Sequence, residues 1–285
     1  MTEQQGTHQV DCDEGGHAQG RTPNWAFRVR ESHKQERERE EIESDTEYSP
    51  VGDHQFARVA DQREPWVVQR AIVTGSSRGI GAAIARRLAA EGITVVINYA
   101  GRTTDAQAVV EEIESKGGKA TAIQADISVP AQAAALFDQA ETLFGGVDIL
   151  INNAGIMQPG LTTLAETDDA LFDRLMAINV KGTFNALRIA AKKLRTGGSI
   201  VNFSSSVKTL GFVGYSIYAA TKAAVESMTN IFAKELRGRS ITVNAVAPGP
   251  TATELFLKDK TPEQVEHLAR YPPWRRQKSA GETMG

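Results

Sequence analysis

From residue 67 onward the chain alternates short apolar runs with amphipathic stretches at helical spacing, and this alternation restricts the fold more than any other feature. Residues 67–73 form an apolar run that ends in a glycine-rich turn, which reads as a buried strand. Residues 79–91 follow with Ile80, Ile84 and Leu88 four apart, a helical stripe. The pattern then repeats. A strand over 93–98 precedes a helix marked by Ala106, Val109, Val110 and Ile113, and a strand over 120–125 precedes a helix marked by Ala133, Phe137, Ala140 and Phe144. A strand over 147–151, a long helical region over 168–194, a strand over 199–203, a helix over 218–236 and a sixth strand over 241–246 complete it. Strands of continuous apolar character need cover on both faces, so the expected fold is α/β, a doubly wound parallel sheet with helices on each side.

Upstream of this body, residues 1–66 carry 15 Asp and Glu against 8 Lys and Arg, leaving 20 acids and 24 bases in residues 67–285. The formal net charge of −3 therefore averages an acidic extension and a mildly basic body, neither basic enough for nucleic acid. Large apolar residues are too sparse in 1–66 to offset the entropy of ordering. That segment is expected to be disordered, with at most a transient helix over 36–43. No apolar run approaches the ~18 residues of a membrane span. The single cysteine, Cys12, excludes an internal disulfide framework and a thiolate metal cluster. His8, His17, His33 and His54 lie in the extension and His267 near the far end, which excludes a histidine-based metal site or a Ser-His-Asp triad in the body. The first twenty residues fit neither a secretory signal nor a transit peptide, so a reduced, cytoplasmic setting is expected.

In an open parallel sheet the ligand sits beyond the strand C-termini, where the strand order reverses. After the first strand come Thr74, Gly75, Ser76, Ser77, Arg78, Gly79, Ile80 and Gly81. Gly75 permits a tight turn, Gly79 and Gly81 let backbone and helix approach a bulky anion, and the N–H groups at the helix start suit a pyrophosphate. The second strand ends Asn98, Tyr99, Ala100, Gly101, Arg102, without the acid that would accept from the ribose 2′-OH of NAD. Arg78, with Arg102, would instead hold a 2′-phosphate, which points to NADP(H); the alternative is two solvated surface arginines. Asp126 and Ile127 follow the third strand, where the carboxylate either accepts from an adenine amino group or caps the next helix. Asn152, Asn153, Ala154 and Gly155 follow the fourth, small and amide-rich, suited to lining a ribose.

Tyr218 and Lys222 lie four residues apart on a helix and project from one face. A phenol titrates near ~10, too high for acid–base work at neutral pH. An ammonium ~4 Å away at an effective dielectric of ~20 contributes ~4 kcal/mol, equivalent to about three pKa units. Thirteen residues upstream, Ser205 stands just past the fifth strand, at the same sheet edge. A hydroxyl there could stabilise negative charge developing on a carbonyl oxygen, although Ser204 and Ser206 flank it.

Together the residues 74–81, 152–155, Ser205, Tyr218 to Lys222 and Pro248 with Gly249 resemble the motifs of the classical short-chain dehydrogenase/reductases, in order, over roughly 67–257. The resemblance implies a Rossmann-type fold and hydride transfer between NADP(H) and a small carbonyl or alcohol substrate. In that family's pattern Tyr218 is the general acid/base. Lys222 lowers the tyrosine pKa and holds the nicotinamide ribose, Ser205 orients the carbonyl, and Asn179 fixes a proton-relay water. Pro248, Gly249, Thr251 and Thr253 match the segment that contacts the nicotinamide amide, Thr251 through its backbone and Thr253 through its hydroxyl. The basic residue in the glycine loop resembles the NADP-preferring branch, and the whole is similar to 3-oxoacyl carrier-protein reductases. The substrate pocket is expected to be bordered by residues 156–161, 208–217 and 255–270. Gly211, Phe212 and Val213 would give it an apolar entrance, compatible with 3-oxoacyl thioesters, aldehydes, quinones or sugars.

Past the sixth strand, residues 261–271 can supply one helix, after which 272–285 offer an irregular tail and no run for the family's last strand. The sixth strand is then expected to be an uncovered edge, and the homo-oligomer that the family implies loses part of its surface. Two further readings follow. One is a C-terminally truncated, catalytically weak NADP-binding protein; the other is a scaffold acting through the acidic extension.

Overall fold

The computed structural model describes residues 68–269; the acidic extension expected over 1–66, its transient helix and the tail expected over 272–285 lie outside them. In chain order the elements are β1 (Arg70–Val73), α1 (Gly79–Ala90), β2 (Thr94–Tyr99), α2 (Thr103–Ser115), β3 (Ala120–Gln124), α3 (Pro130–Phe144) and β4 (Val147–Asn152). Then come α4 (Asp169–Leu175), a π-helical stretch (Met176–Gly182), α5 (Thr183–Lys193), β5 (Leu194–Phe203), α6 (Val207–Leu210), α7 (Ser216–Glu235), β6 (Thr242–Val246), α8 (Glu254–Leu257) and α9 (Pro262–Ala269). The strands form one parallel sheet in the order β3-β2-β1-β4-β5-β6. This is the doubly wound Rossmann order, and it reverses between β1 and β4, which places the ligand cleft at the C-terminal edge of those strands.

Alternate residues of each strand feed two cores. Ile72, Val96, Leu150 and Ile200 pack with Leu136 and Phe137 of α3 and Ala186 and Ala190 of α5. Val73, Val95, Ile97 and Ile151 pack on the other face with Val109, Val110 and Ile113 of α2. The period of two thus places consecutive apolar residues on opposite faces, as a sheet covered twice requires.

Three expectations are corrected. On α1 the buried face is Gly81, Ala82, Ala85 and Ala89, while Ile84 and Leu88 pack only partly against the core; small side chains let this helix lie close to the sheet, and the large ones flank the contact. The single helix expected over 168–194 is interrupted by the π-helical stretch that carries Asn179, a local widening of the kind found at functional sites. The fifth strand starts at Leu194 rather than Ser199, with an irregular register against β4 between Val147 and Ile149. Among the described residues β6 is the outer strand, and only its Val243 is buried.

Candidate active site

Bonds to the neighbouring loops hold the loop after β1 in place. Thr74 is fully buried, and its Oγ1 accepts from the N–H groups of Asn153 at 3.0 Å and Ala154 at 3.1 Å. Asn153 Nδ2 donates to the carbonyls of Thr74 and Gly75, both at 3.0 Å. On the other side Asn98 Oδ1 accepts from Gly75 N–H at 3.3 Å, and its Nδ2 donates to the carbonyls of Ile123 and Ala125. The amides of Asn98 and Asn153, read from the sequence as cofactor groups, therefore tie four loops together. Both residues still line the cleft, with Gly75, Ser77, Arg78, Gly79, Ile80, Tyr99, Asp126, Ile127, Ala154 and Gly155.

The glycines divide their roles differently from the expectation. A Cβ on Gly81 would lie 2.5 Å from Asn153 Nδ2 and 2.7 Å from the Gly75 carbonyl oxygen, so Gly81 lets α1 close on the β4 loop and is absent from the cleft lining. A Cβ on Gly75, at φ +62°, would lie 2.7 Å from Ala154 Cα. Gly79, at φ +56°, has nothing nearer than the Thr253 side chain at 3.6 Å and alone keeps room for a ligand. Helix α1 begins there with no side-chain cap and no acid in its first turn. Its N–H groups and dipole fit a pyrophosphate, so the residues present suit a dinucleotide.

Asp126 does not cap the next helix, the alternative the sequence left open: α3 is entered at Val129 without a side-chain cap. Asp126 Oδ1 accepts from Ser128 N–H at 2.9 Å and Ser128 Oγ at 2.7 Å, shaping the turn before α3. Arg78 and Arg102 converge at this end of the cleft, and both meet Glu254. Arg102 Nη2 lies 2.8 Å from Oε1, and Arg78 Nε lies 3.6 Å from Oε2.

The opposite end collects the remaining residues. Ser205, Tyr218, Lys222, Pro248, Gly249, Thr251 and Thr253 line it together with Met157, Phe212, Tyr215, Leu255 and Phe256. Of the three serines, Ser204 points into the fold, its Oγ 3.3 Å from the Lys222 carbonyl, and Ser206 precedes α6. Ser205 is the one hydrogen-bonded to the Tyr218 hydroxyl. Lys222 Nζ donates to the Phe203 carbonyl at 2.8 Å and lies 5.7 Å from the Tyr218 ring centroid. Asn179 stands behind Gly155, whose Cβ would lie 3.2 Å from Asn179 Oδ1 and 3.6 Å from Lys222 Nζ. Its amide bonds both backbone groups of Ile156, at 2.8 and 2.9 Å, and Thr221 Oγ1 at 3.1 Å. The Thr253 hydroxyl accepts from Phe256 N–H at 3.4 Å, capping α8, and the Thr251 hydroxyl donates to the Gly249 carbonyl.

Burial pushes the Tyr218 phenol up to about 12, against a downward pull from the Ser205 hydrogen bond. Burial also pushes the Lys222 ammonium down to about 8. The protein alone therefore does not supply the lowered phenol expected from charge proximity. That expectation counted the attraction and omitted the desolvation of both groups. Tyr215, three residues before Tyr218, is likewise raised to about 12 by burial, and its hydroxyl has no hydrogen-bond partner among the described residues. Sequence reading placed Thr74 only in the glycine-loop motif and Tyr215 only in the 208–217 pocket border, without a role for either, and it missed Glu254. The signals were faint: a hydroxyl before a glycine loop, a second tyrosine at helical spacing, and an acid beside Thr253.

The family model of short chain dehydrogenases matches residues 69–264. An NADPH-dependent aldehyde reductase-like protein, chloroplastic, of Arabidopsis thaliana is 47% identical over 219 residues, covering 72% of this chain and 81% of that one. A 3-oxoacyl-acyl-carrier-protein reductase of Staphylococcus aureus is 41% identical over 203 residues, covering 70% and 82%. The crystal structure of a short chain dehydrogenase from Burkholderia cenocepacia in complex with NADP superposes with a TM-score of 0.63 at 45% identity, covering 66% and 76%.

Proposed function

Because the chain belongs to the short chain dehydrogenase family, we propose that this oxidoreductase reduces the carbonyl group of an aldehyde or ketone with NADPH, reversibly. The observation that carries the proposal is one cleft with two chemically distinct ends. Arg78 and Arg102 stand at one, and Ser205, Tyr218 and Lys222 at the other. Relatives named as NADPH-dependent and a neighbour bound to NADP support the cofactor. The first turn of α1 would hold its pyrophosphate and Arg78 with Arg102 its 2′-phosphate, while Lys222, Thr251 and Thr253 would face the nicotinamide end.

When bound, the cofactor supplies a hydride for the carbonyl carbon. Ser205 donates a hydrogen bond to the carbonyl oxygen and Tyr218 gives that oxygen its proton, so the product is an alcohol and the phenolate regains a proton from solvent. A phenol held up at about 12 carries its proton at neutral pH but is a weaker acid than a free phenol, so the transfer depends on what stabilises the phenolate. The Lys222 ammonium beside the ring favours the phenolate left behind. Asn179 fixes the loop after β4 through Ile156 and keeps Gly155 against Lys222; on the family pattern it also holds the relay water. The lining by Met157, Phe212, Tyr215 and Phe256 supports a substrate with apolar substituents, as does a relative named for aldehyde reduction.

A reduced, cytoplasmic setting belongs to the same proposal. A single cysteine supports it, and the chloroplastic names of plant relatives make it a separate question from activity. The test of function is NADPH oxidation by the full chain with a panel of aldehydes, ketones, quinones and 3-oxoacyl thioesters. Turnover with at least one class is expected, and Tyr218→Phe is expected to lower kcat by about a thousandfold with cofactor binding unchanged. Cofactor binding without turnover, or turnover that survives Tyr218→Phe, overturns the reading.

A further inference from the structure

The two arginines assigned to a 2′-phosphate already hold an anion belonging to the chain. Arg102 Nη2 and Nη1 donate to Glu254 Oε1 and Oε2 at 2.8 and 3.3 Å, and Arg78 Nε lies 3.6 Å from Oε2. The parallel pair to Arg102 is the fork that guanidinium makes with carboxylate and phosphate alike. The contact joins residues 152 apart in sequence, so it is made by the fold and not by local helix geometry. Glu254 is the first residue of α8, next to Thr253, and α8 carries Leu255 and Phe256 into the reaction end of the cleft. One carboxylate thus fastens the segment over the reaction end to the arginines at the far end.

We propose that Glu254 is a specificity latch: it occupies the Arg78–Arg102 pair until a 2′-phosphorylated dinucleotide displaces it, and it stays in place when the dinucleotide lacks that phosphate. The proposal rests on the NADP(H) reading given above. Arg102 Nη1 also donates to Asp105 Oδ2 at 3.3 Å and keeps that local partner, so the exchange concerns the single charge that Glu254 brings, whereas a phosphate monoester brings about −1.5 to −2 and three acceptor oxygens. The phosphate therefore wins the exchange, and repulsion keeps both anions from sharing the pair. The 2′-hydroxyl of NAD(H) carries no charge and gains nothing by displacing the carboxylate. Release of Glu254 frees the start of α8, so recognition of the cofactor at one end alters the covering segment at the other.

The test is titration of the full chain with NADP+ and NAD+ by calorimetry, using wild type, Glu254→Gln, Arg102→Ala, their double variant and Arg78→Ala. Glu254 and both arginines are about half exposed, so these variants are expected to fold. Glu254→Gln should tighten NADP+ binding by about fivefold and leave NAD+ unchanged. In the Arg102→Ala background that gain should shrink to within about twofold, because the latch needs its arginine. A gain that persists there marks simple repulsion and overturns the latch. A Glu254→Gln variant that weakens NAD+ overturns it too, since the carboxylate is then a 2′-hydroxyl acceptor. Arg78→Ala separates the two levels: equal loss of NADP+ and NAD+ sinks the NADP(H) reading itself. Selective loss of NADP+ with no response to Glu254→Gln sinks the latch alone.

Discussion

At the arginine end of the cleft the polar side chains of Thr74, Asn98 and Asn153 are bonded to backbone groups of neighbouring loops. At the reaction end the Tyr215 hydroxyl has no partner among the described residues, the Tyr218 phenol is held far above its usual range and the Lys222 ammonium below it. One end is bonded scaffold that presents glycine backbone and two half-exposed arginines paired with Glu254. The other holds buried titratable groups at a cost in desolvation, the pattern that marks chemistry rather than packing. Substitutions at the first end should therefore change the fold or the choice of cofactor, and substitutions at the second should change the rate.

Ser205→Ala gives the sharpest separation. The hydroxyl touches Tyr218 and is part of no loop tie beyond a 3.3 Å contact with Val207 N–H. Its loss should lower kcat by about a hundredfold, the effect of removing one donor to a developing oxyanion. NADP+ affinity and unfolding midpoint should stay at wild-type values. A comparable loss of cofactor affinity would break the division between the two ends.

Gly81→Ala probes the scaffold. In an ordinary helix interior this change stabilises by up to about 1 kcal/mol. Here the added methyl would lie 2.7 Å from a backbone carbonyl oxygen and 2.5 Å from the Asn153 amide, so the sign should reverse. Urea unfolding of the variant should show a loss of about 2 to 3 kcal/mol. A neutral or stabilising result would mean that the glycine loop is looser than its bonds imply.

How far the sequence could be read follows the same division. The alternation of strands and helices, the parallel sheet and the glycine loop announce themselves through period and spacing, because backbone geometry dictates them. The stripe on α2 is buried as read, since one face meets one sheet. The stripe on α1 is not, because close approach selects small residues and a search for large apolar ones overlooks them. Tyr218 and Lys222 share a helix face by simple arithmetic, but the raised phenol depends on burial among Tyr215 and Phe212 just upstream and Met157 from the loop after β4. Asn98 shows the same limit: it lines the cleft as read, but its scaffold bonds to Gly75, Ile123 and Ala125 come from separate loops and no local pattern announces them. Glu254 meets Arg102 across 152 residues, a pairing that no local pattern encodes.

The smallest effect tests the electrostatic half of the comparison. Lys222 has its pKa lowered by burial from the ordinary 10.5 to about 8. Between those values the unfolded chain carries a proton on this lysine that the folded protein has released. Unfolding then takes up protons, and stability rises with pH across the window. Below about 8 the charged lysine is buried and the full penalty applies; above 10.5 both states are neutral and it is gone. The phenols of Tyr215 and Tyr218, raised to about 12, act in the opposite sense above pH 10, where the unfolded chain loses protons that the folded protein keeps. The lysine is therefore read between pH 8 and 10. Urea midpoints of wild type and Lys222→Met measured across that interval should diverge, with wild type gaining about 1 to 2 kcal/mol relative to the variant. Parallel curves would mean that Lys222 keeps its proton in the fold, and the reaction end would then be as well satisfied electrostatically as the arginine end.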